Sequence, residues 1–303
     1  MIEVERAGLL TTVQDLGRPG NAHLGVPPSG AVDVDAARLA NRLVGNEEGA
    51  AVLETTLAGP TLTLQSATTF AVTGAPAPVT LNGVSVPMGV PIPARSGSTL
   101  ELGTATSGLR GYLALRGGIG TPLVLGSRSC DILTGLGGPP LADGDRLELA
   151  DQAVDWPNVD VAPLPGLPAA PVLDVWCGPG RAWFATSALT TLTHERFTVE
   201  GDSNRVGLRL KGATIERARR GELPSQGLVT GAMQVPESGD PIVFLNDHPT
   251  TGGYPVLACL TSRALAVAAQ LRPGDEIRFR LVPDRSSPVG QPPRQDRPGS
   301  RTG

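Results

Sequence analysis

Residues 141–149 read LADGDRLEL and residues 271–279 read LRPGDEIRF. Each stretch is a Gly-Asp turn followed by apolar residues at alternating positions, which is the pattern of a half-buried strand. A second pair of matching stretches is VPPSG at 26–30 and VPESG at 235–239. The first of these lies before residues 141–149 and the second before residues 271–279, so the two motifs occur in the same order in each half of the chain. Two matches in one order favour two related domains over a chance similarity.

The rest of the chain divides around these stretches. We predict a first domain over residues 1–150 and a second over residues 172–282, separated by a linker over 151–171 that is rich in Pro, Ala and Asp. Residues 283–303 consist largely of Pro, Arg, Ser and Gly, so we expect a disordered tail there.

The composition predicts a mainly β fold. Glycine (39) and proline (29) are abundant and aromatic residues make up only 3%, which favours short strands and many turns over long helices. Asn82-Gly83 between β-forming residues predicts a hairpin. Helices are expected over residues 33–44, ended by Gly45, and from Ser262 as N-cap. Many strands with few short helices indicate two tandem, closed or nearly closed β-barrels.

Charge and cysteine usage exclude several classes of protein. The formal net charge is −4 without an evident basic face, which argues against a nucleic-acid partner. The only lysine, Lys211, does not stand in the Gly-Lys-Ser/Thr context of a P-loop. The three cysteines and three histidines lack metal-binding spacing, so no metal site is predicted. No signal peptide or long apolar segment is evident, and we expect a cytoplasmic protein that does not enter a membrane.

One loop stands out from the strand pattern. Residues 246–255, NDHPTTGGYP, follow an apolar run and combine a carboxylate, hydroxyls and two glycines that allow a ligand to approach the backbone. A tight turn between strands is the alternative. Three further polar clusters, at residues 12–20, 126–131 and 201–207, also combine an arginine or carboxylate with small polar residues and glycine.

Such clusters suit a small anionic or amide-bearing ligand. Arginine binds carboxylate or phosphate through paired hydrogen bonds, and Asn or Gln recognises an amide. The alternative is that Arg–Asp pairs fasten loops between the two barrels. No Ser-His-Asp or Cys-His set is visible by spacing, so no covalent nucleophile is defined. The candidate substrate-binding residues are Gln14, Arg18, Ser29, Ser127, Asn204, Arg205, Gln234, Thr250, Thr251, Gly252, Gly253 and Tyr254, and the candidate catalytic residues are Asp15, Arg128 and Asp247.

An ordered set of motifs spans residues 1–282. The motifs are TTVQDLGRPG, GVPPSGAVD, ANRLVGN, YLALRGGI, LGSRSCD, GLGGPPL, SNRVGLRLKG, QVPESGDPIVFLNDHPTTGGYP and QLRPGDEIRF. Through them the chain resembles the KipA-like family, also called the allophanate hydrolase subunit 2 or biotin-dependent carboxyltransferase-type family, which includes the C subunit of bacterial 5-oxoprolinase. Cys130 stands where that family usually has Thr, and Gln226 where it usually has Glu.

The resemblance implies two cyclophilin-like β-barrels, in agreement with the repeat. It also implies two partners, a KipI-like subunit and a LamB/YcsF-type subunit. Together with such a chain they open 5-oxoproline to L-glutamate while hydrolysing ATP, with Mg. Carboxyl transfer from carboxybiotin to urea or a related amide is the enzymatic alternative, with the biotin on a separate carrier because Lys211 lacks a carrier-domain context. A regulatory subunit that binds a kinase-inhibitor partner is the non-enzymatic alternative.

The position of the ligand site can also be predicted. The clusters fall in both halves of the chain, and ligand sites favour crevices between domains. We therefore expect the Arg128 loop and the loop from Asp247 to Tyr254 to converge on one cleft that the partner protein completes.

Overall fold

The computed structural model describes residues 1–157 and 159–283. The tail predicted over residues 283–303 lies outside the described residues except for Pro283. The described chain is mainly β with three short α-helices, as predicted.

The first half forms two facing antiparallel sheets. One sheet has the strand order β11-β1-β4-β9-β6-β7 and the other the order β2-β3-β10-β5-β8. The strands are β1 (Ile2–Arg6), β2 (Thr11–Gln14), β3 (Val52–Thr56), β4 (Thr61–Leu64), β5 (Thr68–Gly74), β6 (Val79–Leu81), β7 (Val84–Ser85), β8 (Ile92–Ala94), β9 (Ser98–Leu102), β10 (Arg110–Leu115) and β11 (Arg146–Leu147).

The apolar core of this half lies between the two sheets. Alternate residues of β1, such as Ile2 and Val4, pack with Leu53 and Leu113 from the other sheet. Between β6 and β7, Asn82 and Gly83 both have positive φ, at 52° and 76°, which is the two-residue hairpin turn predicted from the sequence.

The second half closes into a barrel of order β12-β19-β16-β17-β14-β13-β20, and β15 and β18 form a separate two-stranded ribbon. The edge-on contact between Phe197 and Phe279, with ring centroids 5.7 Å apart, lies in the barrel core. The strands are β12 (Val172–Cys177), β13 (Phe197–Val199), β14 (Gly207–Gly212), β15 (Gln226–Gly227), β16 (Ala232–Gln234), β17 (Ile242–Phe244), β18 (Thr251–Gly252), β19 (Val256–Leu260) and β20 (Glu276–Leu281).

The two Gly-Asp turns adopt the same structure. Gly144 and Gly274 have φ of 87° and 91°. In each turn the aspartate carboxylate accepts a bond from the N–H three residues earlier, at 2.8 Å in the first and 2.7 Å in the second. The glycine N–H donates to β1 in the first half and to β13 in the second. The sequence repeat is therefore a structural repeat that starts the last strand of each half.

The helices follow from capping and amphipathicity. The helix α1 (Val34–Leu43) begins at the N-cap Asp33, whose carboxylate accepts from Ala36 N, and packs across β5 and β10. The helix α2 is Ala188–His194 and α3 is Ser262–Ala268. The predicted N-cap of α3 was one residue late: Thr261 has the extended backbone and its side chain accepts from Ala264 N, whereas Ser262 is already helical.

The segment between the halves lies on the first half. The guanidinium of Arg116 stacks on the Trp156 ring at 4.0 Å, and Ala162 N donates to Gly89 O. Among the described residues, no helix has both the length and the apolarity needed to span a lipid bilayer.

Candidate functional site

A buried ion-pair cluster joins the two halves, and we call Glu54, Arg205 and Asp247 the junction. Arg205 Nε and Nη2 donate to the two Asp247 oxygens at 2.8 and 3.0 Å. Its Nη1 donates to Glu54 Oε1 in β3, and Nη2 also donates to Gly30 O at 2.8 Å. All three side chains are at most 1% exposed, so the second half is held to the first by charges without contact to water.

Glu54 anchors the junction in the first half. Its Oε2 accepts bonds from Val32 N and from the Tyr112 hydroxyl, both at 2.9 Å. Burial alone would raise the pKa of Glu54, but the nearby Arg205 and Arg110 guanidiniums outweigh it and lower that pKa below its usual value. Glu54 is therefore ionised, and removal of Arg205 would leave Arg110, with Nε at 3.6 Å from Glu54 Oε1, as its remaining cationic neighbour.

The predicted loops meet at the junction. Ile132 N, at the end of the Arg128 loop, donates to Asp247 Oδ2 at 3.1 Å. Ser29 N donates to Asn246 O at 3.0 Å, and Asn246 Nδ2 returns a bond to Ala31 O at 3.0 Å. The Arg128 loop and the start of the Asp247 loop are thus neighbours. The Arg128 guanidinium itself donates to Thr121 O within its own loop.

Asp15 organises the Arg128 loop. Its Oδ1 accepts from the hydroxyls of Ser127 and Ser129, both at 2.6 Å, and its Oδ2 accepts from Arg128 N at 2.6 Å. Gly17 N supplies a further bond to Oδ1 at 2.7 Å. The carboxylate is thus surrounded by donors from the protein.

Gln14 and Arg18 are buried beneath the same loop. Gln14 Nε2 donates to Cys130 O at 2.9 Å, and Arg18 Nε donates to Val124 O at 3.2 Å. Gln14 Oε1, Arg18 Nη1 and Ser29 Oγ are shielded from solvent without a hydrogen-bond partner among the described residues. Burial raises the pKa of Cys130 to about 11, so its thiol is protonated at neutral pH.

The later part of the Asp247 loop contains β18, which pairs with β15 to form the ribbon on the surface of the second half. Gln226 pairs with Gly252 and Gly227 with Thr251. The buried Gln234 supports it by donating from Nε2 to Tyr254 O at 2.7 Å, and a Cβ on Gly252 would come within 2.8 Å of that amide. Thr251 and Gln226 are exposed, so the ribbon presents polar side chains and glycine backbone to solvent.

The structure separates the predicted residues into three groups. Arg205 and Asp247 form the junction, with Ser29 beside it; Gln14, Asp15, Arg18, Ser127 and Arg128 belong to the first-half loop; Gln234 and Thr250 to Tyr254 belong to the ribbon and its support. Asn204 is exposed, and its Oδ1 accepts from Val206 N at 2.7 Å in a turn.

Sequence reasoning missed Glu54, a member of the junction, and also Tyr112 and Arg110, which contact Glu54. A carboxylate within the apolar strand Val52–Thr56 is the signal that would have identified Glu54, because a charge in a buried strand requires a partner.

A cavity of about 420 Å³ lies between α1, α3 and residues 164–168. Its walls include Asp33, Leu39, Leu167 and Val267, and none of the predicted site residues is among the described residues that line it. This crevice between the halves is therefore separate from the predicted loops. No group of three or more His, Cys, Asp or Glu side chains suited to a metal ion occurs in the described part of the chain.

Comparison with known proteins defines the class. Residues 24–281 match the family model of the carboxyltransferase domain, subdomain A and B, and the chain belongs to this family. It is 38% identical over 282 residues to the C subunit of 5-oxoprolinase from Escherichia coli K12, covering 92% of this chain and 90% of that protein. The resemblance inferred from the motifs is thus confirmed.

Two solved structures share the fold. The TTHA0988 protein is 38% identical with a TM-score of 0.84, and the match covers 92% of this chain but 55% of that one. The urea amidolyase of K. lactis is 34% identical with a TM-score of 0.87, and the match covers 92% of this chain but 18% of that one. This chain therefore spans about half of the first protein and under a fifth of the second.

Proposed function

We propose that this chain belongs to an ATP-dependent 5-oxoprolinase-type amidohydrolase, which opens 5-oxoproline to L-glutamate with a KipI-like subunit and a LamB/YcsF-type subunit as partners. The observation that carries the proposal is the match to the C subunit of 5-oxoprolinase across 92% of this chain and 90% of that protein. The urea amidolyase match, in contrast, covers only 18% of a much larger chain.

The proposed chemistry requires activation of the lactam. Its carbonyl carbon is a poor electrophile, because the amide nitrogen donates electrons to it. ATP phosphorylates the carbonyl oxygen and leaves as ADP, which makes the carbon electrophilic and the oxygen part of a leaving group. One water adds to that carbon, and the ring C–N bond breaks as the nitrogen takes up a proton, which gives an acyl phosphate of glutamate. A second water then releases phosphate and leaves L-glutamate. Positively charged donors and backbone N–H groups stabilise the phosphate charge in such a reaction.

The ribbon is the part of this chain that we assign to ligand contact. Thr250, Thr251 and Tyr254 offer hydroxyls, and Gly252 and Gly253 allow close approach of a ligand to the backbone. Gln226, paired with Gly252, lies beside these groups and offers a neutral amide where the family usually has a carboxylate.

We assign Asp247, Asp15 and Arg128 to positioning rather than to contact with the reacting atoms. Asp247 is fully buried and both its oxygens are bonded to Arg205. Asp15 is bonded to two hydroxyls and two N–H groups, and the Arg128 guanidinium to Thr121 O. These bonds hold each side chain against the protein rather than toward a ligand.

The exposed apolar side chains of the first-half loops support the proposal that a partner protein binds there. Leu123, Leu125 and Leu133 are 60%, 46% and 49% exposed, and they flank the loop that Asp15 holds. Exposed leucines that flank one loop are costly in water and are typical of a surface that another protein covers. We assign this surface to the KipI-like partner.

Glutamate release by the reconstituted complex tests the proposal. The full chain, mixed with both partner subunits, 5-oxoproline, Mg and ATP, is expected to release glutamate and ADP in equal amounts. Omission of this chain is expected to abolish release. If all three proteins are folded and associated but no ATP-dependent glutamate forms, the proposal is wrong.

Carboxyl transfer is the second candidate, favoured by the family model and by the TM-score of 0.87 with K. lactis urea amidolyase. Lys211 is exposed and pairs with Asp240 at 2.8 Å on a strand, so the biotin carrier would be a separate chain. Consumption of urea and of a supplied carboxybiotin carrier, without glutamate release from 5-oxoproline, would favour this candidate over the first.

A further inference from the structure

Two arginines lie against one tryptophan on the second half, and two more adjoin them in sequence. Arg217 and Arg219 place their guanidinium carbons 5.9 and 5.7 Å from the centre of the Trp183 ring. Arg181 begins the same short 3-10 helix, Arg181–Trp183, and Arg220 follows Arg219 directly. We call these four residues the arginine cluster.

The arginine cluster is continuous with the ribbon. Ala218 N donates to Trp183 O at 2.9 Å, which fastens the cluster to the 3-10 helix. Five residues later, Leu223 N donates to Gly253 O at 2.7 Å. A single short segment therefore leads from the guanidiniums to the glycine turn that we assign to ligand contact.

The charges of the arginine cluster are not neutralised by the chain. None of the four forms an ion pair with a carboxylate in the described part of the chain, whereas Arg196 and Arg209 pair with Glu276 and Asp202. Arg217 Nη2 donates to Gly221 O, but Nε and Nη1 are shielded from solvent and lack an acceptor among the described residues. A guanidinium charge that no carboxylate neutralises attracts an anion to its accessible edge, as at the exposed Arg219.

The nearby carboxylates do not act as the anion that pairs with the arginine cluster. Glu237 Oε1 accepts from Gly221 N at 2.9 Å, and Glu222 lies against Gly253, 3.2 Å from where a Cβ on that glycine would stand. Neither acid forms an ion pair with an arginine of the cluster in the described part of the chain. The guanidiniums of Arg217 and Arg219 interact instead with the electron-rich face of the Trp183 ring.

We propose that the arginine cluster binds the phosphate chain of a small phosphate-bearing ligand. Guanidinium forks match the geometry of phosphate oxygens. The identification of this ligand as ATP rests on the proposed function, whereas the phosphate site itself rests on the geometry of this chain.

Titration calorimetry of the full chain without partners tests the site. Tripolyphosphate and ATP are expected to bind with similar affinity at low salt, and adenosine is not. Quenching of tryptophan fluorescence that is lost in Trp183→Phe places the binding at the cluster. Absence of saturable tripolyphosphate binding, or equal binding of adenosine and ATP, would overturn the proposal.

A pair of matched variants separates the site from general charge. Arg217→Gln with Arg219→Gln is expected to weaken tripolyphosphate binding by about tenfold or more, since charge-assisted bonds are lost. Arg196→Gln with Arg209→Gln removes the same charge from exposed, paired positions and is expected to weaken it by less than about threefold. Equal losses in the two pairs would contradict a built site. Arg219→Gln alone, at an exposed position, gives the same comparison if the first pair unfolds.

The outcomes also separate this inference from the proposed function. If tripolyphosphate binds at the cluster but the complex releases no glutamate, the phosphate site stands and the lactam hydrolase is wrong. If the complex releases glutamate and the Arg217→Gln, Arg219→Gln variant keeps both its ATP affinity and its rate, the function stands and the site is wrong.

Discussion

In the junction, every guanidinium nitrogen of Arg205 donates to a protein oxygen, and both carboxylates accept bonds from the protein. The arginine cluster, in contrast, has donors without an acceptor among the described residues, and the ribbon exposes its backbone. Both regions are built from arginine, carboxylate and glycine, and the sequence alone does not distinguish them. The difference shows that saturation of hydrogen bonds, rather than residue type, separates a site that holds the fold from one that is open to a ligand.

The largest effect is expected at the junction. Arg205→Met would leave Asp247 buried without its cationic partner and Glu54 with Arg110 alone, whose Nε lies 3.6 Å from Glu54 Oε1. We expect a loss of about 3–5 kcal/mol in the free energy of unfolding, measured by urea denaturation. Arg280→Met is the matched control, because Arg280 also pairs with an aspartate, Asp174, through two bonds of 2.7 and 3.0 Å but at the surface. The control is expected to leave the denaturation midpoint nearly unchanged. Similar losses in both variants would show that burial does not set the strength of the junction.

The second prediction concerns the first-half loop beneath which Arg18 lies. A Cβ on Gly137 would meet Ser129 O at 1.9 Å and Arg18 Nη2 at 2.7 Å, whereas a Cβ on Gly135 would meet nothing within 4 Å. The two glycines have similar φ, 82° and 75°, so alanine is strained equally at both. We expect Gly137→Ala to cost about 1–3 kcal/mol more stability than Gly135→Ala. Equal costs would mean that the loop adjusts without loss.

The molecule also shows which of its features could be predicted from the sequence. The Gly-Asp turns, the Asn82-Gly83 hairpin and α1 were predictable because their geometry is set by residues within a few positions of one another. The junction was not, since Glu54 and Arg205 are separated by 151 positions. Asp247 was recognised as exceptional in a polar loop, but its partners Arg205 and Ile132 lie 42 and 115 positions away in the sequence.

The third prediction tests the ribbon. Thr251→Val keeps the shape of an exposed side chain and removes its hydroxyl, so stability is expected to change by less than about 0.5 kcal/mol. Glutamate release by the complex is expected to fall by about tenfold, which is the value of one lost hydrogen bond in the transition state. Thr106→Val, at an exposed threonine of the first half, is the control and is expected to keep the full rate. An unchanged rate of glutamate release in Thr251→Val would show that this hydroxyl does not contact the substrate.

The smallest effect is expected at His248, which lies between the two regions. Burial lowers the pKa of His248 below its usual 6.5, although Asp247 and Asp131 act in the opposite direction. At His248 the folded protein therefore binds a proton less readily than the unfolded chain. The contribution of neutral His248 to the free energy of unfolding is complete above pH 6.5 and decreases as the pH falls below that value. His248→Gln removes this titration.

The difference in unfolding free energy between the parent protein and His248→Gln, measured in urea at pH 7.5 and pH 5.0, is therefore expected to shift toward the variant at pH 5.0. The shift should not exceed about 1.4 kcal/mol per pH unit. Asp33 has a pKa raised by burial and contributes with the opposite sign, since its carboxyl favours the folded state at low pH, but that contribution is common to both proteins and cancels in the difference. A difference that is independent of pH would mean that His248 is protonated equally in the folded and unfolded chains. The loop between the saturated junction and the open ribbon would then admit water, and the boundary between the two regions would lie before His248 rather than after it.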